Sequence, residues 1–417
     1  MPTIVVVAAL DTKGEEARLV RDTIAARGHQ VVVVDTGVVG EPRFPPDIPA
    51  SRVAEAGGVA LASLREQADR GKAITVMARG AAAVAEELHR GGRLHGIIGM
   101  GGSAGTAVGS AAMRALPVGV PKVLVSTVAS GNVAPYLGTK DIALMYSVVD
   151  VAGINRLSRA VLTNAAGAIC GAVEAAAQRE STPSAPGDEN PLLAASMFGN
   201  TTKLVDAARA ILEGQDYEVL VFHATGTGGQ SMEGLIRDGF IQGVLDVTTT
   251  EWADELCGGV FSAGPTRLDA AGERGIPQVI APGCLDMVNF GAEETVPARY
   301  RDDPARKFYV WNPQVTLMRT TPEENAALGR ILAEKANAAK GPVQVFLPLR
   351  GVSILDSVTE EGPQPFWWPE ADKALFDAIK HHLRPGIPVH ELDVNINDPA
   401  FAEATAGALL DLLRVTR

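Results

Sequence analysis

The sequence predicts two Rossmann-like α/β domains, each built on a doubly wound parallel sheet and related by an apparent internal duplication. Apolar strand-like runs alternate with segments of helical period, a pattern typical of βαβ units that cover both faces of a sheet. The chain of 417 residues is too long for one ordinary core. Several motifs of the first half recur in the same order in the second half. Together these three observations predict the fold class.

The first half is predicted to contain five strands. The first strand, 3–9, leads into a turn at Asp11–Gly14 and a helix that opens with Glu15 and Glu16, whose charges suit the positive end of the helix dipole. The elements that follow are strand 29–37, a helix near 51–70, strand 73–77, a helix near 80–91, and strands 95–100 and 121–127.

A linker is predicted at residues 179–191. This segment, RESTPSAPGDENP, is rich in Ser, Pro, Gly and charged residues and lacks an apolar period. It separates an N-terminal domain, residues 1–178, which is the candidate nucleotide-binding domain, from a C-terminal domain, residues 192–417.

The duplication is visible as four matching segments in the same order. LLAASMFGNTTKLVDAARAILEGQDYEVLVFHATG parallels IVVVAALDTKGEEARLVRDTIAARGHQVVVVDTG, and QGVLDVTTT and RGIPQVIAPG parallel HGIIGMGGS and VGVPKVLVST. The elements that finish the second sheet are helix 322–340, strand 343–349, helix 369–383 and strand 388–394. A last helix ends the chain, and the sequence leaves open which domain it packs on.

Composition excludes several classes of partner. The net charge of −12, without a basic stripe, argues against nucleic acid and against an anionic membrane surface. The start of the chain lacks the features of a signal peptide, and no apolar run is expected to span a membrane, so we expect a cytoplasmic protein. Cys170, Cys257 and Cys284 have no metal-ligand spacing and are expected to be buried thiols.

The strongest candidate for ligand binding is a Gly-rich turn that follows strand 95–100. Ligands of open α/β sheets bind beyond the carboxyl ends of strands, where helix N-termini present free N–H groups. The candidate nucleotide-binding residues of this turn are Gly101, Gly102, Ser103, Gly105 and Thr106. The turn matches neither Walker A nor GxGxxG, and the alternative is a tight turn with close helix packing.

Two further segments of the first half are candidates for the same ligand. Asp11, Thr12 and Lys13 follow the first strand; Lys13 would neutralise phosphate charge and Asp11 would hold Mg²⁺ through water. The alternative is a helix cap with a solvated lysine. A polar loop after strand 121–127 offers Thr127, Ser130, Gly131 and Asn132 to close over a ligand. The alternative there is a plain loop.

In the second half, a turn at 223–230 combines an imidazole with an anion-binding backbone. His223 is the candidate general acid or base, with Glu251 and Arg267 as further catalytic candidates. The candidate substrate-binding residues are Thr225, Gly226, Thr227, Gly228 and Gly229. The alternatives are a structural histidine, helix capping by Thr250 with Glu251 in the first turn, and plain surface roles for Arg267, Asp286 and Asn289.

An aromatic group at Phe366, Trp367 and Trp368 stands out because aromatic residues make up only 5% of the chain. It predicts either the wall of a ligand cleft or a subunit interface. Core packing is the alternative.

Five motifs together carry a resemblance that spans the chain: AALDTKGEE, GMGGSAGT, FHATGTGGQSME, DVTTTEWADEL and PGCLDMVNFG. They are similar to those of the Tm-one-like ATP-binding family. The resemblance implies two Rossmann-like domains, binding of ATP with Mg²⁺, and association as a homodimer. Plant members carry a TIM-barrel domain after this region, so the resemblance also implies a separate TIM-barrel partner protein.

Three functions are compatible with these features, and the sequence leaves open whether the protein is an enzyme. The first is an ATP-binding protein, in the form of an ATP-dependent enzyme that acts on a small anionic metabolite. The second is a hydrolase or lyase for an oxo acid that uses an interdomain cleft. The third is a non-catalytic nucleotide sensor or scaffold. We rank them in this order, and no metal ligand is assigned beyond Asp11.

Overall fold

The computed structural model describes residues 1–181 and 190–416, which form two compact units. Unit 1 spans Met1–Pro183 and unit 2 spans Ser184–Arg417. Most of the predicted linker, residues 182–189, lies outside the described residues. Each unit is an α/β structure with a parallel sheet, so the predicted fold class is confirmed.

Unit 1 contains a five-stranded parallel sheet. Its strands are β1 (Thr3–Ala8), β2 (Gln30–Asp35), β3 (Gly96–Gly101), β4 (Lys122–Ser126) and β5 (Ala143–Tyr146). Its helices are α1 (Leu10–Ala26), α2 (Ala50–Ala56), α3 (Leu61–Gln67), α4 (Arg70–Arg90), α5 (Ser103–Arg114), α6 (Ala134–Leu137) and α7 (Arg156–Ser181). The strand order is β2-β1-β3-β4-β5, so the chain reverses direction across the sheet between β1 and β3.

Helices cover both faces of this sheet, so β1 is buried at every position and is apolar everywhere except at Thr3. Ile4 and Val6 point to the face that packs with α1 and α7. Val5 and Val7 point to the face that packs with α2, α4 and α5. Successive side chains of a strand face opposite sides, and this arrangement is what makes the sheet doubly wound.

The predicted strand at 73–77 is wrong, because these residues lie inside α4. Buried positions of α4 recur at helical spacing, beginning with Ala73, Val76, Met77, Gly80 and Ala81, and continue to Leu88. This pattern extends over 21 residues. The β-branched residues of AITVM favour a strand only locally, and the longer amphipathic period outweighs that preference.

The predicted turn at Asp11–Gly14 is also wrong, because α1 begins at Leu10. The Leu10 N–H donates to the Asp35 carboxylate at 2.9 Å, so a side chain from the neighbouring strand satisfies the first donor of the helix. Lys13 has a non-helical backbone (φ −122°, ψ 22°), which interrupts α1 near the position where the turn was expected. Asp11, Thr12 and Lys13 therefore belong to the first turns of a helix.

Close packing of α2 against α4 depends on a glycine. A Cβ at Gly80 would overlap the backbone carbonyl oxygen of Val53. Replacing Gly80 by alanine is therefore expected to destabilise unit 1 by roughly 2 kcal/mol, because backbone atoms must separate. Thermal unfolding by calorimetry measures the effect. The matched control is Gly71→Ala in the first turn of α4, where a Cβ meets only an Asp69 oxygen at 3.5 Å; equal melting temperatures for the two variants would contradict the packing argument.

Unit 2 contains a six-stranded parallel sheet and two smaller antiparallel sheets. Its strands are β6 (Leu192–Met197), β7 (Glu218–His223), β8 (Ile241–Thr248), β9 (Gln278–Gly283), β10 (Met287–Phe290), β11 (Phe308–Asn312), β12 (Val315–Arg319), β13 (Val343–Pro348), β14 (Val358–Thr359), β15 (Gly362–Pro363) and β16 (Val389–Leu392). Its helices are α8 (Thr202–Glu213), α9 (Thr227–Asp238), α10 (Glu251–Cys257), α11 (Ala270–Arg274), α12 (Ala298–Arg301), α13 (Pro322–Ala338), α14 (Pro369–His382) and α15 (Pro399–Thr416), with 3₁₀ turns at Gly199–Thr201 and Glu293–Thr295.

The two parallel sheets share the order of their first four strands. The sheet of unit 2 has the order β7-β6-β8-β9-β13-β16, so β6, β7, β8 and β9 stand in the same order as β1, β2, β3 and β4. This is the order that the internal duplication requires. The antiparallel sheet β10-β12-β11 and the hairpin β14-β15 were not predicted. The last helix, α15, packs against α8 within unit 2.

Helix α7 is an exception to the expectation that no apolar segment could span a membrane. By length and composition, residues Arg156–Arg179 of α7 could cross a membrane, with a mean hydropathy of 1.4. The expectation missed this segment because its apolar character comes from many Ala and Gly residues rather than from a run of large side chains. A single helix of this kind is weak evidence, since core helices pass the same test.

Candidate functional site

A cavity of about 580 Å³ lies at the carboxyl edge of the sheet in unit 1. Its walls come from the segments that follow β1 and β2, from α3 and the start of α4, and from the first turns of α5. Ala9 follows β1 and Gly105 lies in α5, which follows β3, so the cavity opens where the strand order reverses. Ligands of open α/β sheets bind at this point of the fold.

The start of α5 presents free N–H groups beside the cavity. The first hydrogen bond within this helix runs from the Thr106 N–H to the Gly102 carbonyl at 2.8 Å, so the preceding helical N–H groups lack intrahelical acceptors. Gly101 has a φ of +151°, a value that residues with a side chain rarely adopt. A Cβ at Gly105 would lie 2.8 Å from the Met100 carbonyl oxygen. The glycines therefore permit the sharp turn from β3 into α5.

Two arginines reach the cavity, and they differ in what they bind. Arg65 donates from Nε and Nη2 to the carbonyls of Val38 and Gly40, and from Nη1 to Glu41. Arg70 is exposed, and within the described part of the chain its guanidinium has no hydrogen-bond or ion-pair partner. Arg70 is therefore the cation that a ligand can engage without breaking an existing contact.

One wall of the cavity is a loop held in place from two sides. The Asp11 carboxylate accepts from the N–H groups of Val39 and Gly40 at 2.9 and 3.0 Å. Arg65 holds the carbonyls of the same loop, as described above. A Cβ at Gly37 would lie 2.7 Å from the Asp11 carboxylate, so the loop needs glycine to approach this closely. Asp11 thus shapes the cavity wall, and one of its oxygens is already occupied.

The remaining lining is mainly apolar. It includes Leu64, Ile74, Met77 and Val108. Thr36 also lines the cavity and contributes a hydroxyl, although the residue as a whole is only 8% exposed. The cavity therefore combines an apolar wall with a polar end made of Thr36, Arg70 and the start of α5.

The structure brings only some of the predicted nucleotide-binding residues to this cavity. Asp11, Thr12 and Gly105 line it. Gly101, Gly102 and Ser103 are adjacent to it in the turn, whereas the Thr106 hydroxyl is buried against the Ser126 hydroxyl at 2.7 Å. The predicted residues that do not line it are Lys13, Thr127, Ser130, Gly131 and Asn132. Asn132 instead accepts from the Ala134 N–H.

Sequence reasoning missed the residues that α3 and α4 contribute. Arg65, Arg70 and Met77 belong to no recognisable motif. The signal that could have found them is the amphipathic pattern of α4. If α4 had been predicted as one helix, the first turn of that helix would have been expected beside the Gly-rich turn.

In unit 2, Arg267 is the centre of a buried ionic network. Its side chain is 1% exposed and donates to Asp246 through Nη1 and Nη2 at 2.5 and 2.6 Å, and to Glu251 through Nε at 2.6 Å. Glu233 lies 3.3 Å from Nη1. Burial raises the pKa of Glu233, with Arg267 opposing the shift. The alternative of a plain surface role for Arg267 is wrong, because three carboxylates surround the guanidinium inside the unit.

Glu251 occupies the anion-binding turn that the sequence predicted for a substrate. Its carboxylate accepts from the N–H groups of Gly226 and Gly229 at 2.8 and 3.1 Å. A Cβ at Gly229 would overlap the same carboxylate. Thr250 stands at the N-cap position of α10 without a capping hydrogen bond from its side chain. The Gly-rich turn therefore binds a carboxylate, as its chemistry predicts, but this carboxylate belongs to the protein.

His223 is exposed at the carboxyl end of β7. Its ring centroid lies 5.3 Å from that of Phe198, which in turn lies 6.3 Å from that of Phe261. The Thr225 hydroxyl donates to the His223 carbonyl at 3.3 Å, and Thr227 is exposed beside it. Gly228 lies directly over that carbonyl. Catalytic roles for His223, Glu251 and Arg267 stay predictions.

A second polar cluster in unit 2 surrounds Arg319. This buried guanidinium donates to Asp372 at 2.6 Å and lies 3.7 Å from Asp356. Asp286 accepts from the Ser353 hydroxyl at 2.7 Å and is fully buried, so the alternative of a plain surface role is wrong. Burial raises the pKa values of Asp286 and Asp372, and the negative charge of Asp356 raises them further. Arg319 opposes this shift, but it is one arginine facing three carboxyl groups.

Asn289 is also buried rather than at the surface. Its backbone N–H and side-chain amide each donate to Asp254 at 2.7 Å. Burial raises the pKa of Asp254 to about 8, although these hydrogen bonds oppose the shift. Unit 2 therefore holds several carboxyl groups that resist ionisation.

The aromatic group divides between core and surface. Phe366 is fully buried and meets Tyr309 edge to face at 6.5 Å between ring centroids. Trp368 is half-buried, with the Lys307 ammonium 4.8 Å from its ring centroid. Core packing therefore accounts for Phe366. The three cysteines are buried and free, as predicted.

Metal-ligating residues do not gather at these sites. Within residues 1–181 and 190–416, no group of three His, Cys, Asp or Glu side chains is placed to hold a metal ion. Both backbone N–H groups donate to the same Asp11 oxygen, Oδ2, so Oδ1 is left for the water-mediated contact with Mg²⁺ that the sequence predicts.

Comparison with known proteins identifies the family. Residues 2–178 match the N-terminal domain of the uncharacterised protein family UPF0261, and residues 190–413 match its C-terminal domain. A UPF0261 protein of Clostridium tetani is 50% identical over 411 residues, which is 98% of each chain. The ToMV resistance protein Tm-1(GCR237) of Solanum lycopersicum is 43% identical over 349 residues, which is 82% of this chain and 45% of the tomato protein.

Among solved structures, UDP-N-acetylglucosamine 2-epimerase from Rickettsia bellii covers 67% of this chain and 78% of its own at 10% identity. The TM-score of 0.22 is too low to support an argument. Two family models that together cover both units, and relatives of this identity, confirm the resemblance seen in the motifs. The chain therefore belongs to the UPF0261 family, with the tomato Tm-1 proteins among its relatives.

Proposed function

We propose that unit 1 binds a nucleotide, or another small anionic metabolite with an apolar body, in the cavity beside α5. The observation that carries the proposal is the joining of an apolar cavity of about 580 Å³ to a polar end with free helix N–H groups and Arg70. Small-molecule sites are typically 300–1,000 Å³ in volume, mostly apolar, with a few converging polar groups. The cavity has these properties.

The polar end supports an anion for a physical reason. The N-terminus of a helix carries about half a positive charge, and its free N–H groups point at the ligand. Glu251 on the Gly-rich turn of unit 2 shows that this fold binds a carboxylate at such a position. The apolar side chains opposite, including Leu64 and Met77, suit a planar ring.

ATP with Mg²⁺ is the ligand pair that the family resemblance implies. In this proposal Mg²⁺ arrives coordinated by phosphate groups, and Asp11 contacts it through water. The proposal extends to a cytoplasmic homodimer and to a separate TIM-barrel partner, both of which rest on the resemblance. An ATP-dependent reaction on a small metabolite is ranked ahead of a nucleotide sensor or scaffold.

Replacement of Gly102 by valine tests the position of the site. The fold should tolerate the change, because a Cβ there meets only the Thr127 hydroxyl at 3.7 Å. The new side chain lies where the backbone must approach a ligand, so ATP affinity is expected to fall by about tenfold or more in a calorimetric titration. Unchanged affinity would place the site elsewhere.

Ala104→Phe provides a second test of the same site. Ala104 lines the cavity and is half-buried, so a phenyl ring should fill the space that a ligand needs. Ala107→Phe, one turn further along α5 and outside the lining, is the matched control. Equal nucleotide binding by both variants would contradict a ligand in this cavity.

A further inference from the structure

We propose that α3 is a lid over the cavity of unit 1 and that Arg65 is the latch that holds this lid shut. Release of Arg65 then sets the rate at which a ligand enters and leaves. The inference rests on the proposed function and adds to it how the exchange of the ligand is controlled. It is carried by the few contacts that attach α3 to the rest of unit 1.

Helix α3 forms one wall of the cavity through Leu64 and Arg65, but it is weakly attached. It is seven residues long, and helices of this length are not stable on their own. Of these seven residues, all of which the structure describes, Leu64 alone is buried, while Leu61 is partly buried against the same core. Elements with so few buried apolar contacts are the ones that open locally in a folded protein.

The connections of α3 on either side have the properties of hinges. Ala68 joins α3 to α4 in the left-handed conformation, with φ +48° and ψ 24°. A residue with a side chain adopts this conformation at an energetic cost, and such strain is found at ligand clamps and switch regions. On the other side, α3 is preceded by Gly57 and Gly58, of which Gly58 has a φ of +87°. Both connections can therefore absorb a change in backbone angles.

Arg65 joins α3 to another wall of the cavity, the loop after β2. Its Nε and Nη2 groups donate to the carbonyls of Val38 and Gly40 at 2.8 and 2.9 Å, and its Nη1 group donates to Glu41 at 3.3 Å. Within the described part of the chain, no other side chain of α3 forms a hydrogen bond or an ion pair. The Arg65 side chain is 38% exposed, so the latch lies at the border between the cavity and solvent.

The loop that receives the latch is fixed from its other side. Asp11 accepts from the N–H groups of Val39 and Gly40 at 2.9 and 3.0 Å. Asp11 belongs to α1, whose buried face packs on the sheet through residues such as Ala17 and Val20. The loop is therefore the frame and α3 is the part that moves. When the bonds of Arg65 break, α3 moves away on its two connections and the loop keeps its place.

Hydrogen exchange of the ligand-free full chain tests the latch without reference to any ligand. Arg65→Ala removes the bonds to two carbonyls, so the amides of α3 are expected to exchange about tenfold faster. Arg65→Lys keeps the charge but not the fork of donors, and it should lie between the two. The matched control is Arg52→Ala, because Arg52 forms an exposed pair with Glu87 at 2.7 Å outside the cavity lining. Equal exchange of α3 in Arg65→Ala and the unchanged protein would overturn the proposal.

Stopped-flow measurement of ATP binding in the presence of Mg²⁺ tests what the lid does. In Arg65→Ala the association and dissociation rates are both expected to rise by about tenfold, with little change in affinity, because the latch must break for entry and for exit alike. A faster dissociation alone, with a matching loss of affinity, would make Arg65 a direct contact of the ligand and overturn the lid. Failure of ATP and other nucleotides to bind the folded protein would overturn the proposed function, whereas the exchange of α3 would still decide whether the latch exists.

Discussion

Replacing Arg267 by methionine is expected to lower the free energy of unfolding of unit 2 by about 3–5 kcal/mol. The arginine is 1% exposed and binds Asp246 and Glu251 directly, with Glu233 close by. Its removal leaves three carboxyl groups in a region that water does not reach. Uncompensated buried charge is among the most destabilising results of a single substitution.

Tryptophan fluorescence measures this change selectively. All four tryptophans, Trp252, Trp311, Trp367 and Trp368, belong to unit 2, so denaturant titration followed by fluorescence reports on that unit. Arg274→Met, at an exposed position in α11, is the matched control and should change stability by less than about 0.5 kcal/mol. A comparably small change for Arg267→Met would show that the network contributes little.

Raising the pH from 6 to 8.5 is expected to destabilise unit 2, which is the second large effect. The pKa of Asp254 is about 8 in the folded protein, and burial also raises the pKa values of Asp286 and Asp372. Unfolding restores an ordinary pKa near 4, so in this range the folded state binds more protons than the unfolded state. Stability then falls as the pH rises, by about 1.4 kcal/mol per pH unit for each proton held.

The melting temperature followed by tryptophan fluorescence across this pH range checks the prediction. Asp372→Asn should flatten the dependence, because asparagine can still accept the hydrogen bond from Arg319 and does not ionise. Asp377→Asn, at an exposed position in the same helix, should leave the slope unchanged, since Lys373 lowers the pKa of Asp377 well below this range. A melting temperature that rises with pH would refute the argument.

Strands could be predicted from the sequence, in the correct order, wherever an apolar run was fully buried. β1, β3, β8 and β13 were recognised because each is a mainly apolar run flanked by turn residues. The segment 73–77 was wrongly predicted as a strand because its five residues, taken alone, favour one. The helical spacing of its buried residues is visible only over the full length of α4. β5 was missed because its run ALMY is only four residues long and directly follows the polar segment that was interpreted as a loop, and none of its four residues is fully buried.

Half of the candidate site could be predicted from the sequence. The Gly-rich start of α5 was visible because backbone geometry demands particular residues there. The wall formed by Leu64, Arg65 and Arg70 was not visible, since its position depends on how α3 and α4 fold back over the sheet. The burial of Asp286 and Asn289 was equally hidden, because their partners come from segments distant in the sequence.

The carboxylate of Glu251 on the turn at Gly226 and Gly229 can be regarded as a ligand covalently tethered to its own binding site. Only 25 and 22 residues separate it from these two glycines. A tether of this kind gives the carboxylate an effective concentration in the millimolar range or above. A free metabolite would have to outcompete that concentration and also separate Glu251 from Arg267. The anion-binding turn of unit 2 is thus occupied by a carboxylate of the protein itself.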